Sequence, residues 1–276
     1  MSPGPAIGLL AGNGQLPLLF ARAARAQGLA VHAVAFAGEA EGALAAEVDS
    51  LTWVKLGQVA AMARALTARG VDTAVMAGGV GRLRAMRELR PDAGALKVLA
   101  RARSRRDDEL LRALAWYFEG QGVRIAAPTD YVKTLLAPAG HLAGPLLTPT
   151  QRQDVALGVE VAAALGRADV GQTVVVKEGH VLAVEAVEGT DECIRRGGRY
   201  GGPGAVVVKR CKPGQDRRFD LPAAGPVTLE VMREVGARAL ALEAGETVLL
   251  DAEGLFKWAG RLEISVLAYR REEPPT

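Results

Sequence analysis

The sequence predicts an α/β protein, with an N-terminal parallel-sheet (Rossmann-like) domain followed by a C-terminal α+β domain built on a mixed sheet. Three observations predict it. In the first half, short apolar runs alternate with helical patterns across short turns, which is the signature of a parallel sheet covered on both faces. Around residue 140 the chain is crowded with Pro138, Gly140, Gly144, Pro145 and Pro149, residues that continue neither a helix nor a central strand. Beyond them, β-rich runs pair through a hairpin signal before helices return. The expected boundaries are 1–133 for the first domain, 134–149 for a linker and 150–276 for the second domain.

The elements follow in order. Residues 6–11 are an apolar run that ends in Gly12-Asn13-Gly14. Residues 16–27 then read as a helix, because Leu16, Leu19, Phe20, Ala23 and Ala24 share one face and Gly28 supplies a stop. Residues 30–35 and 51–56 read as strands, 58–69 as a helix stopped by Gly70, and 73–77 as a strand ending in Gly78-Gly79. Residues 107–119 form a helical pattern through Leu110, Leu111, Leu114 and Phe118, and 123–127 a fifth strand. A helix over 151–165 begins at Thr148 or Thr150 as cap. Residues 173–177 and 180–187 flank Glu178-Gly179, a hairpin turn. Residues 205–209 are a strand and 226–235 a helix with Pro226 in its first turn. Strands over 247–251 and 262–268 enclose a helix over 252–259. No internal repeat or low-complexity tract is present.

Composition narrows the function classes. Hydrophobic residues make up 49% and charged residues 24% of 276, a globular balance that argues against disorder. Aromatics are 4%, too few for a base-stacking nucleic-acid platform. The start lacks a basic region before an apolar run, and no stretch of about 18 uninterrupted apolar residues exists, so neither a secretory signal nor a membrane span is expected. Cys193 and Cys211 lack metal-type spacing, and the expected compartment is the reducing cytoplasm. The net charge of +3 hides a basic segment, residues 82–106, at +7, against −4 for the rest. It reads either as a solvated helical surface or as a surface for an anionic membrane, a phosphate-bearing ligand or nucleic acid. Nucleic acid is disfavoured, because no aromatic residue interleaves the cations.

Two regions could carry chemistry. Gly12-Asn13-Gly14-Gln15 and Gly78-Gly79 each follow a strand, at the sheet edge where ligands of parallel sheets sit. Glycine there either lets backbone N–H groups approach a phosphate or simply relieves a tight turn. Neither turn is a complete dinucleotide or Walker motif. The second region holds Thr190 and Asp191, then Lys209, Lys212, Gln215, Asp216, Arg218 and Asp220. Carboxylates of this kind hold Mg²⁺ through one or two oxygens while phosphates supply others, and the cations neutralise phosphoryl charge. The alternative is a charged hairpin of surface ion pairs. Asp220 stands out because Phe219 and Leu221 flank it, and an acid in an apolar setting is more often functional or buried with a partner. His32, His141 and His180 are scattered, so no zinc site is expected, and no Gly-x-Ser-x-Gly elbow exists.

The run Ile7-Gly8-Leu9-Leu10-Ala11-Gly12-Asn13-Gly14-Gln15-Leu16-Pro17 resembles the opening of the LpxI family, the UDP-2,3-diacylglucosamine pyrophosphatases of lipid A synthesis. So do Glu188-Gly189-Thr190-Asp191, Lys212-Pro213-Gly214-Gln215-Asp216 and Arg218-Phe219-Asp220-Leu221-Pro222, with Gly225-Pro226 and Thr228 after them. The similarity runs from about residue 6 to 270. Asn13 departs from an expected glycine, and Ala223-Ala224 from bulkier residues.

The resemblance implies Mg²⁺-dependent (or Mn²⁺-dependent) hydrolysis of the pyrophosphate of UDP-2,3-diacylglucosamine, giving UMP and 2,3-diacylglucosamine 1-phosphate (lipid X). It implies ligand binding between two domains, an essential aspartate at Asp220, and a cytoplasmic homodimer peripheral on the inner membrane. The residues assigned on this reading are Asp220 as the central carboxylate, with Asp191 and Asp216 as further metal ligands. Gly12, Asn13, Gly14, Gln15, Gly78, Gly79, Thr190, Lys209, Lys212, Gln215 and Arg218 are assigned to substrate. Two other classes compete. One is a nucleotide-cofactor oxidoreductase, poorly supported because the second strand ends in Val34-Ala35-Phe36-Ala37 with Glu39 only later. The other is a non-catalytic lipid- or membrane-binding module using the basic segment. Metal-dependent release of UMP separates the first reading from both.

Overall fold

A computed structural model describes residues 5–81, 90–102, 107–213, 216–219 and 221–271. The chain divides into two compact units, Met1–Val132 with Arg217–Phe219, and Lys133–Asp216 with Asp220–Thr276.

The first unit is built on a five-stranded sheet of β1 (Ala6–Ala11), β2 (Ala30–Phe36), β3 (Ser50–Val54), β4 (Thr73–Ala77) and β5 (Arg124–Ala126), in the order β3-β2-β1-β4-β5. Every pairing is parallel. The helices are α1 (Leu16–Ala26), α2 (Val59–Thr67), α3 (Ala93–Arg101), α4 (Asp107–Glu119) and the single turn α5 (Pro128–Tyr131). Burial on both faces explains why β1 and β2 read as continuous apolar runs: Leu9, Leu10 and Ala11 are buried, as are Val31, Ala33, Val34 and Ala35. One core cluster gathers Leu10 and Val34 with Met62 and Leu66 of α2 and Phe118 of α4.

Helix α3 lies inside the basic segment, one reading of which was a solvated helical surface, and it buries Gly94, Ala95 and Val98 on one side. Asp92 supplies its start. Asp92 Oδ1 accepts from Ala95 N–H at 3.0 Å, while Oδ2 accepts from Ala60 N–H at 2.8 Å. One carboxylate thereby caps α3 and the first turn of α2.

The second unit holds a six-stranded sheet ordered β6-β13-β11-β9-β7-β8. Its strands are β6 (Gly140–Ala143), β7 (Thr173–Lys177), β8 (His180–Val184), β9 (Val206–Lys209), β11 (Ala239–Glu243) and β13 (Ser265–Tyr269). β9, β11 and β13 are parallel, whereas β6, β7 and β8 pair antiparallel, so the sheet is mixed as expected. A separate two-stranded ribbon joins β10 (Ala223–Ala224) to β12 (Val248–Leu249). Helices α6 (Pro149–Arg167), α7 (Thr190–Gly201), α8 (Pro226–Glu234) and α9 (Ala252–Leu262) complete the unit.

Several expectations hold at residue level. Thr148 is the cap of α6, in a reciprocal capping box with Gln151. Glu178 and Gly179 both have positive φ, 49° and 77°, which suits the tight hairpin between β7 and β8. Buried Asp154 fixes that turn by accepting from Glu178 N–H at 2.9 Å and Gly179 N–H at 2.7 Å.

Other expectations change. Within residues 134–149, the segment expected to join the domains, lies β6, which tolerates its glycines because it pairs on one side only. β8 stops at Val184 rather than residue 187. Helix α7 was missed because Gly197, Gly198 and Gly201 disguise it. A Cβ at Gly197 would stand 2.6 Å from Val175 Cγ1, and one at Gly198 2.2 Å from Val235 Cβ, so the glycines let the helix sit close to its neighbours. β11 was also missed. Its Ala-Leu-Ala-Leu-Glu sequence favours helix, and full burial in the middle of the sheet overrides that preference.

Candidate active site

In the first unit the order β3-β2-β1-β4-β5 reverses direction between β1 and β4, and the two glycine turns follow those two strands. This is the crevice at which open parallel sheets take ligands. The turns are tied to each other. Gly12 N–H donates to Ala77 O at 2.9 Å, Asn13 N–H to Gly79 O at 2.8 Å, and Gly79 N–H to Asn13 Oδ1 at 3.2 Å. The approach leaves no room for side chains: a Cβ at Gly12 would stand 2.1 Å from Gly79 O, and one at Gly78 (φ 81°) 2.2 Å from Asn13 O.

Glu39, past the end of β2, reaches both turns. Its Oε2 accepts from Asn13 Nδ2 at 2.8 Å and its Oε1 from Gly81 N–H at 3.2 Å. The N–H groups of Gly12, Asn13, Gly79 and Gly81 are thus donated within the protein, and a carboxylate lies against both turns. Together these disfavour a diphosphate seated on those N–H groups. The outward edge is Gly14 (φ 82°), with open space where a Cβ would be, followed by exposed Gln15. In the sequence Glu39 stands only as an acid past the second strand; no local signal announces a contact made across 42 residues of chain.

In the second unit the strand ends bring Thr190 and Lys209 together. Lys209 ends β9 and pairs in register with Thr173 at the start of β7. Thr190 opens α7 after Gly189, whose φ of 84° turns the chain. Lys209 Nζ donates to Thr190 Oγ1 at 3.2 Å and to Ala223 O at 2.8 Å. Glu185 accepts from Thr190 Oγ1 at 3.3 Å, and the hydroxyls of Thr173 and Thr190 are 3.2 Å apart. Thr173, Glu185 and Lys209 are all buried, which is uncommon for charged groups unless they are paired.

The chain after Lys209 is held by a second buried acid. Glu243, fully buried at the end of β11, accepts from Cys211 N–H at 2.8 Å and from Arg271 Nε. The buried Tyr269 hydroxyl reaches Lys209 O at 3.5 Å, and burial raises its phenol above the ordinary tyrosine range. Lys212 Nζ donates to Asp169 Oδ1 at 2.8 Å. Neither Glu185 nor Glu243 was singled out from sequence. The signal was present, since each acid ends an apolar run, as Asp220 interrupts one.

Arg218 belongs to the first unit, with its guanidinium 4.8 Å over the Phe219 ring and 3.5 Å from Glu119 Oε1. Asp191 is exposed in the first turn of α7, and Asp216 is half-buried. Asp220 and Gln215 lie outside the described residues. Among the described residues no three His, Cys, Asp or Glu side chains converge as a metal site. Asp191, Asp216 and Asp220 are an all-oxygen donor set, the chemistry that Mg²⁺ takes, and Mg²⁺ needs only one or two protein carboxylates when phosphates share it. Cys193 is not a nucleophile candidate: burial pushes its thiol up to about 12. Glu188 is held below the usual carboxylate range by its own backbone N–H and by Arg196, which pairs with it across the turn of α7.

Two family profiles cover the chain. The LpxI N-terminal domain matches residues 6–135, and the LpxI C-terminal domain matches residues 138–267. A relative from Caulobacter vibrioides (strain ATCC 19089 / CIP 103742 / CB 15), named UDP-2,3-diacylglucosamine pyrophosphatase LpxI, is 34% identical over 280 aligned positions. The alignment covers 98% of this chain and 99% of the relative.

Proposed function

The chain belongs to the LpxI family, and on that premise we propose that it is a hydrolase of lipid A synthesis that cleaves the pyrophosphate of UDP-2,3-diacylglucosamine to UMP and 2,3-diacylglucosamine 1-phosphate. The observation that carries this reading is the end-to-end match to a relative bearing that activity in its name. The oxidoreductase reading loses ground because the glycine turns donate their N–H groups internally. The test is incubation of the purified chain with UDP-2,3-diacylglucosamine and detection of UMP. Absence of UMP under all divalent-cation conditions would refute it.

We assign the phosphoryl charge to Lys212 and Arg218. Their partial exposure, 25% and 31% of the side chain, supports this, since both ends of each pair remain reachable by solvent. Gly14 and Gln15 form the edge assigned to the substrate in the first unit. Asp220 is assigned to orient the attacking water, and with Asp191 and Asp216 to hold Mg²⁺ or Mn²⁺. The cation, when bound, neutralises charge on the phosphoryl oxygens. Exhaustive chelation should therefore abolish turnover and added Mg²⁺ restore it. Full activity with no residual metal would remove the cation from the reaction.

The same proposal places the protein on an anionic membrane surface as a homodimer. No helix among the described residues is long and apolar enough to cross a membrane. The described part of the basic segment supports a peripheral contact: Arg90, Lys97 and Arg101 are exposed beside Leu96 and Leu99, which are 58% and 48% exposed. Co-sedimentation with anionic vesicles should fall with salt and with charge reversal at Lys97 and Arg101. Unchanged binding would make this a solvated surface. A solution mass of a single 28.9 kDa chain would exclude the homodimer.

A further inference from the structure

The hydroxyl of Thr190 is the hub of a closed network. An ammonium can only donate, so Lys209 gives a proton to Thr190 Oγ1 across 3.2 Å. A carboxylate can only accept, so the single Thr190 proton goes to Glu185, whose two oxygens both lie 3.3 Å away. Thr173 Oγ1, at 3.2 Å, must then donate to the remaining lone pair. The donor and both acceptor sites of the hydroxyl are occupied, leaving none for a substrate. Thr190, assigned to substrate from its motif, has a different task.

That task follows from where Lys209 points. Its ammonium also donates to Ala223 O at 2.8 Å, on the residue three past Asp220. The path therefore runs from the buried Glu185 carboxylate through Thr190 and Lys209 to the chain that carries Asp220. We infer that Glu185 is a positioning residue, acting through Thr190 to hold the Lys209 ammonium on Ala223 O and so to fix the chain at Ala223, three residues past Asp220 in sequence. A buried cation keeps a fixed geometry when its donor directions are matched, and the Glu185 carboxylate, one hydroxyl away, adds a negative charge to the network that holds this one. The catalytic part of the inference rests on the proposed hydrolysis; the network itself does not.

The test uses Glu185→Gln, Thr190→Val and Thr190→Ser in the full chain, with two readouts. The first needs no activity: acetylation of Lys209 by an amine-reactive anhydride, followed by peptide mass spectrometry with exposed Lys257 as the internal reference. Lys209 should label slowly in the wild type. It should label at least about tenfold faster in Glu185→Gln and Thr190→Val, the scale of losing a hydrogen bond to a charged group. The second is turnover. Both variants should lose about tenfold in kcat with KM within about threefold, and Thr190→Ser should restore most of what Thr190→Val loses. Should Thr190→Val fail to fold, Glu185→Gln, which keeps the shape and one acceptor, decides alone. Labelling unchanged from wild type overturns the network. Faster labelling with wild-type kcat overturns the positioning role. A wild-type protein without hydrolysis refutes the proposed function instead, and the labelling result still stands on its own.

Discussion

Asp220→Ala should lower kcat by about 100-fold or more, the scale of removing a general base or a central electrostatic group, while substrate affinity changes far less. The expectation rests on chemistry and sequence position, because Asp220 lies outside the described residues. An acid between Phe219 and Leu221 sits in a segment with Lys212, Asp216 and Arg218, the composition suited to a phosphorylated substrate and a hard cation. The chain on its far side is tied down, since Lys209 holds Ala223 O. If Asp220 serves only as an ion-pair partner, the variant should instead melt earlier and keep near wild-type turnover per folded molecule. Measuring kcat, affinity and melting temperature on one preparation separates the two outcomes. A low melting temperature with intact turnover would move the central carboxylate to Asp191 or Asp216.

Gly12→Ala should be strongly destabilising to the first unit. The added Cβ would meet Gly79 O at 2.1 Å, and that oxygen is backbone, already accepting from Asn13 N–H. Neither side can yield without parting the two turns. Overpacking of this kind destabilises by about 1–3 kcal/mol or more, and a melting temperature lower by about 5 °C or more is the expected reading. Activity should fall as well, because Gly14 and Gln15 follow directly. Gly42→Ala is the matched control: a Cβ there meets open space, so its melting temperature should stay close to wild type. Equal stability of the two variants would mean that the turns are not locked to each other.

The legibility of the sequence followed the range of the forces involved. Strands such as β1 and β4 were readable because burial on both faces demands unbroken apolar runs, and α1 because its stripe repeats at helical spacing. The capping box at Thr148 was readable because both partners lie within one turn. Helix α7 was hidden, since Gly197 and Gly198 are there for contact with Val175 and Val235, residues distant in the chain. The site divided along the same line. Thr190, Lys209 and the two glycine turns were legible as motifs, and their chemistry was legible as glycine and cation chemistry. Glu39 and Glu243 reach partners 26 to 42 residues away, which no local pattern names, and Glu185 reaches Thr190 five residues on, across the turn that opens α7.

By itself, then, the sequence determined what depends on composition and on near neighbours along the chain: a parallel-sheet α/β half followed by an α+β half with a mixed sheet, an oxygen-rich and cation-rich segment ending in Asp220, and the LpxI resemblance. The tertiary structure alone decided how those residues are used. It turned the N–H groups of Gly12, Asn13 and Gly79 inward and withdrew the Thr190 hydroxyl into a buried network. The reason is physical. A hydrogen-bonding group has a fixed number of donor and acceptor sites, and which partners fill them depends on which strands the sheet order makes neighbours.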